Sequence, residues 1–155
     1  NFSGTTAQLR DTRFQFDIDA DGEADSLAQL ASGSGFLALD RNADGRINDG
    51  RELFGALSGD GFTDLAQLDD DGDGWVDAAD AAFEQLRIWL PDANGDGRLA
   101  TLQELGVAAL STRSIASPFA LRGESNSDLG QLRSTGVYVG TDRSVGSVQQ
   151  IDLSA

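Results

Sequence analysis

The 155-residue sequence contains no cysteine, no histidine and no methionine, and its eleven basic residues are all arginine. Each absence removes a class of chemistry. Without cysteine there are no disulfides, no thiolate nucleophile and no zinc–thiolate site. Without histidine the chain lacks the commonest general base, the physiological pH switch and the main transition-metal ligand. Without lysine there is no Schiff-base chemistry and no lysine amine to accept an acyl group. Sensors that open a promiscuous groove tend to be methionine-rich, and this chain has none. There is no long apolar run, so nothing in the sequence predicts membrane insertion. The first residue is Asn rather than Met, which reads as a fragment or a processed product.

Acid is what the chain has in excess. Twenty-six Asp and Glu give a formal charge of −15. Nucleic acid is excluded as a partner, because binding phosphates needs a basic face. A bare acidic chain would strain its own compact state by self-repulsion. Divalent cations relieve that strain, so folding is expected to be linked to metal.

The acids are spaced, not scattered. In 40–55, DRNADGRINDGRELFG, oxygen ligands stand at alternate residues Asp40, Asn42 and Asp44, followed by Gly45. Carboxylates and amides packed this closely call for a hard cation taking six to eight oxygens, and calcium is the usual one. This is the pattern of an EF-hand-type loop. The standard loop closes with a carboxylate at position 12, here Arg51. Glu52 stands one residue late, at position 13. Asp40, Asn42, Asp44 and Glu52 form the expected site with the Arg46 carbonyl, and Asn48 as an additional candidate.

The next copy is the most regular: Asp69, Asp71, Asp73 and Gly74, then Asp77 at position 9 and Asp80 at position 12, with the Trp75 carbonyl as a further ligand. A third set is Asp92, Asn94, Asp96 and Gly97, with the Arg98 carbonyl and Glu104, again at position 13. A fourth, incomplete set is Asp17, Asp19, Asp21 and Gly22, with Asp25 at position 9; positions 12 and 13 are Ala28 and Gln29, so no carboxylate closes it. In chain order these are loop one (from Asp17), loop two (from Asp40), loop three (from Asp69) and loop four (from Asp92). The late glutamate of loops two and four suggests an odd–even pairing of loop types. Ile47 and Val76, at position 8 of loops two and three, are candidates for the short strand link between paired loops. A bidentate Glu52, Asp80 or Glu104 favours calcium over magnesium.

Around these loops the periodicity predicts short elements. Phe14, Phe16 and Ile18 alternate with polar residues, which reads as a strand. Phe36, Leu37 and Leu39 form a short buried element. Short helices are expected over 52–57, after Thr63 and Asp64 (Phe62, Leu65, Leu68), over the alanine-rich 78–86, and over 101–105. Arg87–Leu90 reads as a strand ended by Pro91. Val107–Leu110 is a candidate strand, 111–127 a long connection, and 129–139 and 145–153 an antiparallel hairpin around 140–144. The predicted fold is α+β: paired EF-hand-like calcium loops with short helices, a short N-terminal strand and a C-terminal hairpin. It is expected to be one domain over 1–155, with a calcium lobe at 14–110 and a β-ribbon at 111–155 packed on it. That ribbon leaves self-association or a neighbouring domain of a larger chain as partners.

Pairs of carboxylates also run glycoside hydrolysis. Here the acids stand at ligand spacing with no His, Lys or Cys to complete a nucleophilic site. Trp75 and Trp89 are read as packing residues rather than sugar platforms. No catalytic residue is assigned.

FLALDRNADGRINDGRELFG, GFTDLAQLDDDGDGWVDAADAAFEQLRIW and DANGDGRL with LQELGV resemble the calcium-binding module of bacterial RTX-type secreted proteins. Within that group they are similar to the self-processing module of the iron-regulated FrpC-like proteins. The resemblance covers roughly residues 14 to 110. It implies a secreted or surface location, calcium-driven folding, and cleavage of an Asp-Pro bond just upstream, whose new aspartyl end can join a lysine amine. This chain departs from it. Pro91 follows Leu90, Pro118 follows Ser117, and there is no lysine. The RTX nonapeptide repeat is absent as well. Three readings stay open: a calcium-folded structural module, a self-processing module cutting upstream of residue 1, and an intracellular calcium sensor.

Overall fold

The structure, a computed structural model, describes residues 1–3 and 6–155. It is built from antiparallel strands and one short helix. In chain order the elements are β1 (Leu9–Phe16), β2 (Asp25–Leu30), β3 (Phe36–Leu39), α1 (Gly61–Ala66), β4 (Trp75–Asp77), β5 (Leu86–Pro91), β6 (Gly97–Thr101), β7 (Val107–Ser111), β8 (Ile115–Arg122), β9 (Asp128–Gly140) and β10 (Val145–Leu153). They form three sheets: the β1–β2 hairpin, the order β3-β5-β6, and the order β10-β9-β7-β4 with β8 also paired to β9.

The β3-β5-β6 sheet lies in the middle and is apolar on both faces. In β5, Leu86 and Ile88 face a core shared with Leu65 of α1, Val76 of β4, Val107 and Leu110 of β7, and Tyr138 of β9. The alternate residue Trp89 faces a second core with Phe14, Phe16 and Leu27 of the hairpin. The cross-strand register agrees: Leu39 stands opposite Leu86, and Phe36 opposite Trp89. A strand covered on both sides reads as a continuous apolar run, which is how Ile88-Trp89-Leu90 is written. Trp89 is 1% exposed. Its ring packs 4.7 Å from Phe16, edge-on to Phe14 at 5.9 Å, and 5.8 Å from Phe36, and its Nε1 donates to the Asp96 carbonyl at 3.2 Å.

The α+β expectation is corrected: this is an all-β fold, and EF-hand helix pairs are not what frames the loops. Among the described residues the one α-helix is the six-residue α1, capped by Asp60, whose side chain accepts from Thr63 N. The helix expected over 52–57 is a 3-10 turn at Gly50–Glu52, after which Leu53 bridges to Ala38. The helix expected over 78–86 is a 3-10 turn at Phe83–Gln85 leading into β5. The segment 101–105 is the end of β6 and a turn. Isolated stretches this short do not repay helix nucleation, and strand pairing outbids their propensity. The link between Ile47 and Val76 does not form: Val76 pairs with Leu110 of β7, and Ile47 packs in the Trp89 core. The long connection expected over 111–127 contains β8, aligned along β9. The C-terminal hairpin is present, with Val145 opposite Val139. β9 also pairs with β7, so one sheet runs across the 110/111 division.

Candidate metal centre

Loops one to three share one local scaffold. The first Asp of each accepts two successive amides. Asp17 takes Asp21 N and Gly22 N at 3.0 and 2.9 Å, Asp40 takes Asp44 N and Gly45 N at 3.2 and 2.8 Å, and Asp69 takes Asp73 N and Gly74 N at 3.2 and 2.9 Å. The side chain two residues on also accepts from the fifth amide, as Asp71 does from Asp73 N at 3.2 Å. The fifth carboxylate then accepts from the seventh amide, as Asp73 does from Trp75 N at 2.8 Å. These Asx turns wind the chain tightly enough to need a left-handed residue at position 6, where Gly45 has φ +81° and Gly74 φ +91°.

In loop three the scaffold gathers carboxylate oxygens of Asp69, Asp71 and Asp73 within 4.8 Å of one another, and loop one does the same with Asp17, Asp19 and Asp21. The electrostatics register the crowding. Asp71 accepts the Asp73 amide, which favours its anion, yet desolvation and the charges of Asp73 and Asp80 leave its pKa above the ordinary carboxylate value. Desolvation raises Asp19 too, with the Asp21 amide opposing and the charges of Asp21, Asp25 and Asp17 adding to the rise. A set of hard oxygens sharing negative charge suits a hard divalent cation.

The closing carboxylates of loops two and three sit alike despite their different positions. Glu52 is 5% exposed and accepts Arg41 N at 3.0 Å and Asn48 N at 2.8 Å. Asp80 is 4% exposed and accepts Asp70 N at 2.7 Å and Asp77 N at 2.9 Å. In both loops the carboxylate ties amide 2 to amide 9; the longer glutamate does it from one residue further along. Asn48 also joins its site, donating to Asp44 at 3.1 Å and accepting from Asn42 at 2.9 Å. Asp77 caps a turn by accepting Ala79 N at 2.8 Å.

Loop four is built differently. It is the β5–β6 hairpin turn, with Pro91 opposite Gly97 and Arg98 opposite Leu90 within the ladder. Asp92 accepts Asn94 N at 2.9 Å and Asp96 N at 3.2 Å. Glu104 is exposed and accepts Thr101 N at 3.1 Å, while Thr101 Oγ1 accepts Glu104 N at 3.0 Å. Glu104 therefore closes a turn of its own and makes none of the contacts that Glu52 makes. Asp96 is held at 2.8 Å by the guanidinium of Arg46, from loop two.

Loops one, two and four gather at the Trp89 core. Gly50 N donates to the Asp17 carbonyl at 2.9 Å, a contact so close that a Cβ at Gly50 would run into the Ile18 carbonyl. Gln15 N donates to the Ala93 carbonyl at 3.3 Å, and Arg46 spans from loop two to loop four. Loop three stands with the other core, where Gly74 accepts Thr112 N at 3.0 Å. The grouping is one, two and four against three, and spacing alone carries no sign of it. Sequence reasoning named Arg46 for its carbonyl and missed its side-chain pairing with Asp96. It also missed Asp70, whose carboxylate accepts Ala81 N at 2.9 Å and so fastens the end of loop three to its beginning.

Fold and loops together define a β-built module carrying a set of acidic Asx-turn loops. Residues 2–154 match the family model described as the SPM domain, and the chain belongs to that family. It is related to iron-regulated protein FrpA of Neisseria meningitidis serogroup C, with 38% identity over 108 residues, which cover 61% of this chain and 10% of that protein. The chain thus spans a tenth of the length of this curated relative.

Proposed function

We propose that this chain is a calcium-folded module of a longer exported bacterial protein. The observation that carries the reading is the convergence of Asp69, Asp71 and Asp73 within 4.8 Å, with Asp80 buried behind them. Asp80 and Glu52 each spend one lone pair per oxygen on backbone amides and keep others for an ion. Loop three would hold calcium through Asp69, Asp71, Asp73, Asp80 and the Trp75 carbonyl. Loop two would use Asp40, Asn42, Asp44, Glu52 and the Arg46 carbonyl. Loop one offers Asp17, Asp19 and Asp21, with Asp25 heading β2 nearby. The ion would supply charge neutralisation and a cross-link between turns. Outside the cell, where calcium is plentiful, the module would be ordered; inside, where it is scarce, it would stay soft. No helix among the described residues is long and apolar enough to cross a membrane.

The test is circular dichroism and calorimetric titration of the chain in EDTA and then in calcium. Expected are saturable binding of more than one ion and a sharply higher melting temperature. Identical melts in calcium and EDTA would overturn the reading.

A second reading rests on the resemblance to the self-processing module: the same fold would serve calcium-triggered cleavage of an Asp-Pro bond placed upstream. The check is a longer chain with Asp-Pro ahead of Asn1, incubated with calcium and followed by mass spectrometry. A chain that stays intact under those conditions counts against it.

A further inference from the structure

Between the middle sheet and the β9–β10 ribbon lies a partly open cavity of about 440 Å³. Its walls are apolar and come from several elements: Phe36 and Leu37 of β3, Phe54, Phe62 of α1, and Val148 of β10. The volume falls in the range of about 300–1,000 Å³ typical of small-molecule sites.

Two polar atoms on the cavity wall lack partners. Ser147 is 9% exposed, and its Oγ is buried without a hydrogen bond; Asn1 Nδ2 is buried in the same condition. The Asn1 backbone nitrogen donates to the Ser147 carbonyl at 2.9 Å, so the two residues are neighbours at one end of the cavity. A buried polar group left unpaired is costly, and such groups are normally satisfied by water, by protein or by a ligand. An amide N–H and a hydroxyl together present donors, which suit an oxygen acceptor. The chain as a whole carries −15, so an anionic head is disfavoured.

We propose that this cavity binds a neutral, single-chain apolar ligand bearing an alcohol or carbonyl oxygen, with the alkyl chain among Phe36, Phe54 and Phe62 and the oxygen at Ser147 and Asn1. The inference is independent of calcium binding and concerns a different part of the molecule.

The test uses 1-decanol, 1-octanol and decanoate, titrated into the calcium-treated full chain by calorimetry, with intermolecular NMR contacts mapped on the same unmodified protein. Decanol should bind one per chain, with its methyl end near Phe54 and Phe62 and its hydroxyl end near Ser147. Octanol should bind about fifteenfold more weakly, because it lacks two methylenes and each is worth about a factor of four. Decanoate should bind more weakly than decanol. Ser147→Ala should weaken decanol about fivefold, the scale of one hydrogen bond. The contact map does not depend on that variant folding. Absence of saturable decanol binding, contacts elsewhere on the surface, or decanoate binding as tightly as decanol would each overturn the proposal.

Discussion

At the scale of the residue, the amide-holding and the proposed ion-binding of the buried carboxylates can be separated. Glu52 and Asp80 each hold two backbone amides. Glu52→Gln and Asp80→Asn turn one acceptor oxygen into a donor facing an amide N–H, so each should cost about 1–3 kcal/mol in EDTA as well as in calcium. Urea unfolding in both buffers measures it. Glu104→Gln, at an exposed turn, should change stability by less than about 0.5 kcal/mol in EDTA; a loss as large as that of Glu52→Gln would mean that Glu104 has been placed in the wrong role. Ligand spacing picks out Glu52 and Asp80, which the structure buries on equivalent backbone amides, because spacing and amide-capping geometry impose the same carboxylate position. It also picks out Glu104, which the structure places on a turn of its own. The position-13 offset looks alike in one dimension, but here Glu104 accepts Thr101 N beside the β5–β6 hairpin instead of bridging its loop.

At the scale of the element, the strands adjoining the loops carry the architecture. Alternation located the N-terminal strand, Arg87–Leu90 and the terminal hairpin, because each has a clear apolar face or run. The expected helices failed where a run of good helix formers was too short to nucleate and a neighbouring strand supplied pairing. β8 was hidden because Ser, Pro and Arg interrupt it and nearly every side chain on it is exposed. An edge strand aligned by β9 needs little apolar pattern of its own. Trp89 is the point where β5 fastens the β1–β2 hairpin to loop four. Trp89→Ala should cost about 3–5 kcal/mol, read by denaturant unfolding. It should also loosen loop four, seen as faster amide exchange around Asp96. The hairpin has a second tether. The Glu124 amide and then the Ser127 hydroxyl hold the Asp11 pKa below its ordinary 3.8, with desolvation opposing and Arg13 assisting. A depressed carboxylate pKa stabilises the fold above the unfolded value and loses that contribution as pH falls through the folded one. The difference in melting temperature between wild type and Asp11→Asn should therefore be constant near neutrality and shrink below about pH 4. A difference that grows on acidification would rule out this account.

At the scale of the whole molecule, the excess of acid sets what is expected of stability. With −15 on 155 residues, the ion-free chain should be stabilised by simple screening. Raising sodium chloride in EDTA should raise the melting temperature and reduce the further increment produced by calcium. Magnesium should give a smaller increment than calcium, because it dehydrates reluctantly and prefers six rigid ligands. A melting temperature indifferent to salt would show that self-repulsion is not what the ions relieve.

The middle sheet also acts as a check on folding errors. In β5, Ile88 belongs to one core and Trp89 to the other. A one-residue slip against β3 would exchange them, forcing an indole into a pocket shaped for an aliphatic chain and stranding a void opposite. A sheet with one buried face opposes such a slip from that face alone. Here both faces oppose it, so the register of β5 is fixed twice over.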